Sequence, residues 1–442
     1  GAAALGLVGA LASAGPAEKE WAQFRGFRAG GVAPGASLPV EWDVEERRNI
    51  RWQVEIPGLG HSSPVVWGDR IYLTTAVTEG EQTLKTGLYG DIGAAKDMGR
   101  QEWRLLVIDK RSGKILSDKL AHAGVPTVKR HTKATHCNST PVTDGSRVVA
   151  IFGSEGLFCF DREGDRIWQV ALGPMDSGYF KVKSAQWGFA SSPVIHDGKV
   201  IVQCDVQEGS FLALYDLESG REIWKTARAD VPTWSTPTVV EHKGRTQILV
   251  NGWRHTGAYD FATGKEIWKL DGGGDIPVPT PVTAHGKAYF SSAHGRDRPI
   301  RAVSLDARGD ITPKRIGDTS EAIPWVHPKR GAYMGTPIVV GDHLYSCDGN
   351  GVLACFDAHS GEIVYRERLP QGGGGFTASM VSDGENLFLA GETGRVFVVP
   401  ANGQFSVRAV NELDDVCLAT PAISDGVLLW RTRNRLVAVG KR

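Results

Sequence analysis

Gly257-Ala258-Tyr259-Asp260-Phe261-Ala262-Thr263-Gly264-Lys265-Glu266-Ile267-Trp268 decides the fold, because its pattern A-x-D-x-x-T-G-x-x-x-W returns along most of the chain. It predicts a strand ending at Asp260, a tight turn at Thr263-Gly264 where glycine tolerates positive φ, and a second strand carrying Trp268. Residues 214–224 repeat it with Asp216, Ser219, Gly220 and Trp224 in register; residues 355–365 repeat it with Asp357, Ser360, Gly361 and Tyr365 in the tryptophan slot. Residues 107–117 keep Asp109, Ser112 and Gly113 without the aromatic, and residues 161–168 are one residue shorter but keep Trp168. A repeat sustained over so much of a 442-residue chain predicts one closed array instead of two or three separate domains.

A second element counts the repeats. Ser62-Ser63-Pro64, Ser139-Thr140-Pro141, Ser191-Ser192-Pro193, Ser235-Thr236-Pro237, Pro279-Thr280-Pro281, Gly335-Thr336-Pro337, Ala378-Ser379-Met380 and Ala419-Thr420-Pro421 are eight copies, the closest 42 to 44 residues apart. That spacing is the length of a four-stranded propeller blade, and proline is tolerated at the start of a strand. Each copy leads into a turn such as Asp144-Gly145 or His285-Gly286 and then a β-branched or aromatic run. The eighth copy reaches Arg442 with room for only three strands, while residues 49–56, ahead of the first copy, read as a tryptophan-bearing fourth strand. The expected fold is therefore all-β: an eight-bladed β-propeller of four-stranded antiparallel blades over residues 49–442, closed by the N-terminal strand pairing in the last blade. Such closure removes two open sheet edges. Residues 15–48 are expected to form an arm in which Trp21-Ala22-Gln23-Phe24-Arg25-Gly26 lies on the propeller.

Lys plus Arg and Asp plus Glu number 50 each, a balance that argues against nucleic-acid partners and anionic membrane surfaces. Residues 1–14, small, apolar and ending in Ala12-Ser13-Ala14, read as a signal-peptide remnant, shorter than the roughly 20 residues a spanning helix needs. The mature chain is thus expected in the periplasm or secreted, monomeric and without a transmembrane segment. Six cysteines permit disulfides, yet Cys159 and Cys355 share a repeat position and read as buried small hydrophobes; Cys347 and Cys355 are the pair best placed for a bridge. Extra length lies at residues 78–102, 117–136, 172–188 and 313–334, where long loops usually carry function.

With these elements in place, the chain resembles the pyrroloquinoline-quinone-like β-propeller superfamily, in particular exported bacterial propellers. The resemblance is carried by the repeat and by Arg51-Trp52, Pro57-Gly58 and residues 60–68 (Gly-His-Ser-Ser-Pro-Val-Val-Trp-Gly). It implies one of two functions. Some members are dehydrogenases that use pyrroloquinoline quinone with calcium, and another is a non-enzymatic eight-bladed scaffold for outer-membrane β-barrel assembly. The alcohol-oxidising branch carries two adjacent cysteines against the quinone, and no adjacent pair occurs here. The scaffold is a lipoprotein, and here no cysteine lies at the expected cleavage site after Ala14.

The innermost strands line the axis, so residues just ahead of each Ser/Thr-Pro element are expected to meet at one mouth of the channel. They include Phe189, Met334, Phe376 and Asp414, and the ligand-binding candidates His61, His136, Trp187, Trp234, Tyr333 and Asp415. Aromatic surface with a few polar groups suits a small-ligand or peptide pocket. Trp52, Trp168, Trp224 and Trp268 are assigned to packing between blades, and Asp109, Asp161, Asp216, Asp260, Asp306 and Asp357 to capping turns. His122, His131 and His136 are spaced too loosely for a metal site. No catalytic residue, metal or cofactor is expected. The function read from the sequence is a non-enzymatic binding or scaffold module for protein, peptide or glycan; the alternative is a quinoprotein oxidoreductase binding pyrroloquinoline quinone and calcium at the channel mouth.

Overall fold

Each Ser/Thr-Pro element opens the innermost strand of an antiparallel sheet, and eight such sheets form the propeller. The computed structural model describes residues 20–80, 82–89, 92–182, 184–370 and 374–441; the signal-like residues 1–14 lie outside them. Blade 1 comprises Val65–Trp67, Arg70–Val77, Gln101–Asp109 and Ile115–Gly124. Blade 8 comprises Ala422–Ser424, Val427–Arg431 and Arg435–Gly440, and its fourth strand is Ile50–Glu55, with Trp52 opposite Ala438 and Glu55 opposite Arg435. The N-terminal strand therefore closes the ring. No helix among the described residues is long and apolar enough to cross a membrane.

A belt of hydroxyls joins the blades around the axis. The backbone N–H of Ser63 donates to Thr140 Oγ1 (2.9 Å), Thr140 to Ser192 Oγ (2.9 Å) and Ser192 to Thr236 Oγ1 (3.0 Å). The same link runs from Thr280 to Thr336 (3.0 Å), Thr336 to Ser379 (3.0 Å) and Ser379 to Thr420 (2.9 Å). These N–H groups lie ahead of the strand ladders and would be buried without a partner, a loss of about 1–3 kcal/mol each. At these six junctions the neighbouring blade's hydroxyl supplies the acceptor, and the position is Ser or Thr in all eight copies.

The repeated tryptophans join blades at a second point. Trp52, Trp168 and Trp224 each lie on the turn glycine of the next blade, at Gly113, Gly220 and Gly264. Their Nε1 groups donate to the carbonyls of Lys110 (2.9 Å), Leu217 (2.8 Å) and Phe261 (3.0 Å). The glycine is required twice over: at Gly264 φ is +68°, and a Cβ there would come within 2.6 Å of the Trp224 ring.

Blade 5 departs from the pattern. Its fourth strand, Trp325–His327, arrives only after an insertion, and Trp325 takes the docking role, lying on Gly361 and donating to Ala358 O at 3.1 Å. Trp268, from the stretch that reveals the repeat, is buried, but its Nε1 has no partner among the described residues, because the next blade lacks the D-x-x-T-G turn that would supply one. Asp306 is a correction for the same reason. Asp109, Asp216, Asp260 and Asp357 accept from the Ser/Thr of their turns, but Asp306 accepts from His242 Nε2 (3.0 Å) and Lys243 Nζ (2.7 Å) of blade 4.

All six cysteines are free and buried. Cys347 faces Leu353 and Cys355 faces Tyr345 across their strand pair, so the two are not cross-strand partners. The segment holding Trp21 and Arg25 crosses the ring on the side away from the Ser/Thr entries. Trp21 O accepts from Val66 N and Ala22 O from Thr143 N, both at 2.8 Å. The fully buried Arg25 guanidinium donates to Ala29 O, Pro337 O and Met380 O, tying blades 6 and 7 to the arm.

Candidate functional site

At the mouth where the inner strands begin lies a cavity of about 420 Å³. Phe24 from the arm and the belt hydroxyls of Ser63, Thr140, Ser192, Thr236, Thr280, Thr336, Ser379 and Thr420 line its depth. Four of the six sequence candidates, His61, Trp187, Trp234 and Tyr333, stand in its wall. Closure brings them together, since each lies just ahead of a different inner strand.

The aromatic wall is a set of interlocked rings. Tyr179 stacks parallel to Trp187, with centroids 5.5 Å apart and planes 2° from parallel. Trp234 packs on Trp187 at 5.7 Å, and His131 meets it edge-on at 5.2 Å. Trp234 Nε1 donates to Gly188 O (2.9 Å), and Trp187 Nε1 donates to Ile92 O (3.0 Å) in the 78–100 insertion. That insertion covers one side of the mouth with Leu88, Tyr89 and Ile92.

Two clusters built on buried carboxylates hold this arrangement. Asp275, 5% exposed, accepts from His294 Nδ1 (2.6 Å), Lys181 Nζ (2.5 Å) and Tyr179 OH (3.1 Å). Burial pushes its pKa up, but the hydrogen bonds from His294 and Lys181 outweigh this and hold it at about 2, so the carboxylate is ionised behind the aromatic wall. On the other side Lys133 Nζ and Glu392 Oε1 form a buried pair at 2.6 Å. Glu392 also accepts from Gly87 N (2.6 Å) and Thr377 Oγ1 (2.5 Å), which fastens the covering insertion to blade 7. His61 Nε2 donates to Lys133 O at 2.8 Å; burial lowers its pKa to about 3, so it is a neutral hydrogen-bond donor in the wall.

The other two candidates lie elsewhere. His136 faces a separate small cleft with Glu155 and Phe189, packs near Trp103 and is lowered to about 4 by burial. Its carbonyl accepts from Trp103 Nε1 at 2.9 Å, which fixes it as part of blade 1. Asp415 is turned toward the Thr432–Arg435 turn, accepting from Thr432 Oγ1 (2.7 Å) and Asn434 N (2.9 Å). Asp is the residue type that captures such N–H and O–H groups locally. Tyr179, His294, Lys133 and Tyr89 also line the cavity, with Asp275 behind them, and the repeat did not point to them. All come from irregular segments; the unusual length of residues 78–102, 117–136 and 172–188 is a sequence signal for Tyr89, Lys133 and Tyr179, while His294 and Asp275 carry none.

A sequence model for the family described as "Outer membrane protein assembly factor BamB" (PQQ_2) matches residues 157–399 and 320–436, well over half of the chain. The chain belongs to the PQQ_2 family. Curated PQQ_2 relatives include the outer membrane protein assembly factors BamB of Salmonella typhimurium, 26% identical over 149 residues, and Burkholderia pseudomallei, 29% identical over 131 residues. These alignments take in 34% and 29% of this chain and 36% and 33% of those proteins, so the match spans about a third of the curated relatives. Among solved structures, BamB from Moraxella catarrhalis superposes with a TM-score of 0.54 at 15% identity, covering 83% of this chain and 99% of that one. A europium-containing methanol dehydrogenase superposes with a TM-score of 0.60 at 11% identity, covering 96% of this chain and 90% of that one. At such identities the likeness is one of fold.

The quinone alternative can be tested on the cavity of this PQQ_2 chain. A tricarboxylate quinone held with calcium requires free cations for its carboxylates and free carboxylates for the metal. Among the described lining residues Lys133 is the one lysine or arginine, and it is paired with Glu392. Asp275, just behind the wall, is taken by His294 and Lys181. The residues present do not fit that cofactor pair.

Proposed function

We propose that this propeller is a non-enzymatic binding module that takes an apolar side chain of a protein partner into the cavity at the channel mouth. The observation that carries the reading is the lip of the cavity. Tyr89 and Ile92 are 60% and 61% exposed on the covering insertion, beside a wall of Trp187, Trp234 and Tyr333. Aromatic anchors around a desolvated pocket are where binding energy concentrates in protein interfaces. A sugar would need a free ring face, whereas the faces of Tyr179 and Trp187 are stacked on each other. Relatives named as outer membrane protein assembly factors support a protein partner and a periplasmic setting for the chain.

The test is a fluorescence titration with synthetic extended peptides rich in Tyr, Phe and Leu, with soluble oligosaccharides and with pyrroloquinoline quinone plus calcium in parallel. Peptide binding that is weakened in Trp187→Ala and, to a lesser degree, in Tyr89→Ser, with the fold intact, supports the reading. Binding of oligosaccharide alone, or a stoichiometric quinone chromophore, overturns it.

A further inference from the structure

On the opposite face of the ring, the hairpin turns of blades 5 and 6 bring together His285, Asp342 and His359, all three solvent-exposed. One nitrogen of each imidazole and one oxygen of Asp342 lie within 4.8 Å of one another. The two rings are 4.3 Å apart between centroids, and His359 Nε2 donates to Asp342 Oδ1 at 3.0 Å. His285 Nε2 is 3.0 Å from Gly341 O. A carbonyl only accepts, so Nε2 carries the hydrogen and the lone pair of His285 resides on Nδ1.

Comparison with the preceding junction shows what is unusual. His285 and Lys243 hold the same place in successive blades, each opening its hairpin turn at positive φ (+52° and +49°). His359 and Asp306 also correspond, because the residue before each docks on a hairpin carbonyl: Leu305 N on Gly286 O (3.0 Å) and Ala358 N on Asp342 O (2.8 Å). At the blade 4/5 junction this pair of positions is an ion pair, Lys243 with Asp306 at 2.7 Å. At the blade 5/6 junction it is two imidazoles with a carboxylate beside them. Two bases replace a cation and an anion, and a shared cation restores the electrostatic complement.

We propose that His285, Asp342 and His359 bind one divalent transition-metal ion of the zinc class, bridging blades 5 and 6. Two imidazoles and a carboxylate are ligands this class accepts, at about 2.0–2.2 Å, with the remaining position open to water. The present separations exceed those in a formed site, and exposed side chains can swing inward without repacking a core. On binding, the hydrogen that His359 Nε2 shares with Asp342 leaves that nitrogen, either to solvent or by tautomerisation to Nδ1. The His285 contact to Gly341 O is the outer-shell support usual for a ligating histidine.

The experiment is isothermal titration of zinc chloride into EDTA-treated, tag-free protein. One zinc per chain is expected, with affinity at least tenfold weaker in H285A and in H359A and unchanged in H242A, which alters the neighbouring junction. The double variant H285K/H359D installs the blade 4/5 ion pair and should keep the melting temperature while losing zinc uptake. Absence of stoichiometric zinc binding, or binding equal in wild type, H285A and H359A, overturns the proposal.

Discussion

Trp224 and Trp187 are both half-buried indoles whose Nε1 donates to a backbone carbonyl about 3 Å away, yet they belong to different parts of the protein's economy. The acceptor for Trp224 is Phe261 O, in the turn that the repeat itself supplies. The acceptor for Trp187 is Ile92 O, in an insertion that no other blade has. The first contact recurs at Trp52, Trp168 and Trp325; the second occurs once. Contacts that recur hold the ring, and contacts that occur once shape its mouth.

The largest break in this comparison comes from removing the chain through Ile56. Blade 8 would lose Ile50–Glu55 and expose the Arg435–Gly440 edge, so cooperative thermal unfolding by circular dichroism should be lost or fall by more than 10 °C. An unchanged melt would show that closure does not rest on this strand. Next, Trp224→Ala should cost about 3 kcal/mol in urea unfolding, because it removes an inter-blade indole together with its hydrogen bond. Trp187→Ala should instead leave stability within about 1 kcal/mol and weaken an aromatic-rich peptide by about 2 kcal/mol, read by titration. If Trp187→Ala unfolds the protein as readily as Trp224→Ala does, the distinction between the two tryptophans fails.

The smallest effect is in mild acid. His61 and His136 have pKa values lowered by burial to about 3 and about 4, whereas an unfolded histidine titrates near 6.5. Between these values the unfolded state binds more protons, so stability rises with pH and is lost as pH falls from about 6.5 toward 4. From pH 7 to pH 6 each contributes roughly 0.7 kcal/mol of destabilisation, growing further below. Asn in place of either should flatten the stability profile measured by urea unfolding; a profile unchanged in both variants would show that neither is held neutral.

The sequence made the ring legible because a Ser or Thr recurs ahead of all eight inner strands, and at six junctions its hydroxyl accepts the preceding blade's N–H. It misassigned Asp306 and passed over Trp325, since the insertion in blade 5 moves its fourth strand out of register with the pattern. At the mouth, inner-strand geometry alone places His61, Trp187, Trp234 and Tyr333 in one wall. It could not foresee that Asp415 turns away to cap its neighbouring turn, nor that Asp275 is held ionised by His294 and Lys181. Those contacts join turns and irregular segments outside the repeat, and no periodicity encodes them.

The hydroxyl link makes six of the junctions alike, whichever two blades meet there. Such couplings are interchangeable parts. A gene that duplicates, drops or transposes a blade keeps a ready-made joint on each side, and because Ile50–Glu55 already pairs with Arg435–Gly440 inside blade 8, the ring has no privileged point at which it must be cut. Circular permutants opened at another outer strand should assemble the same wheel, leaving the loops at the rim free to diverge.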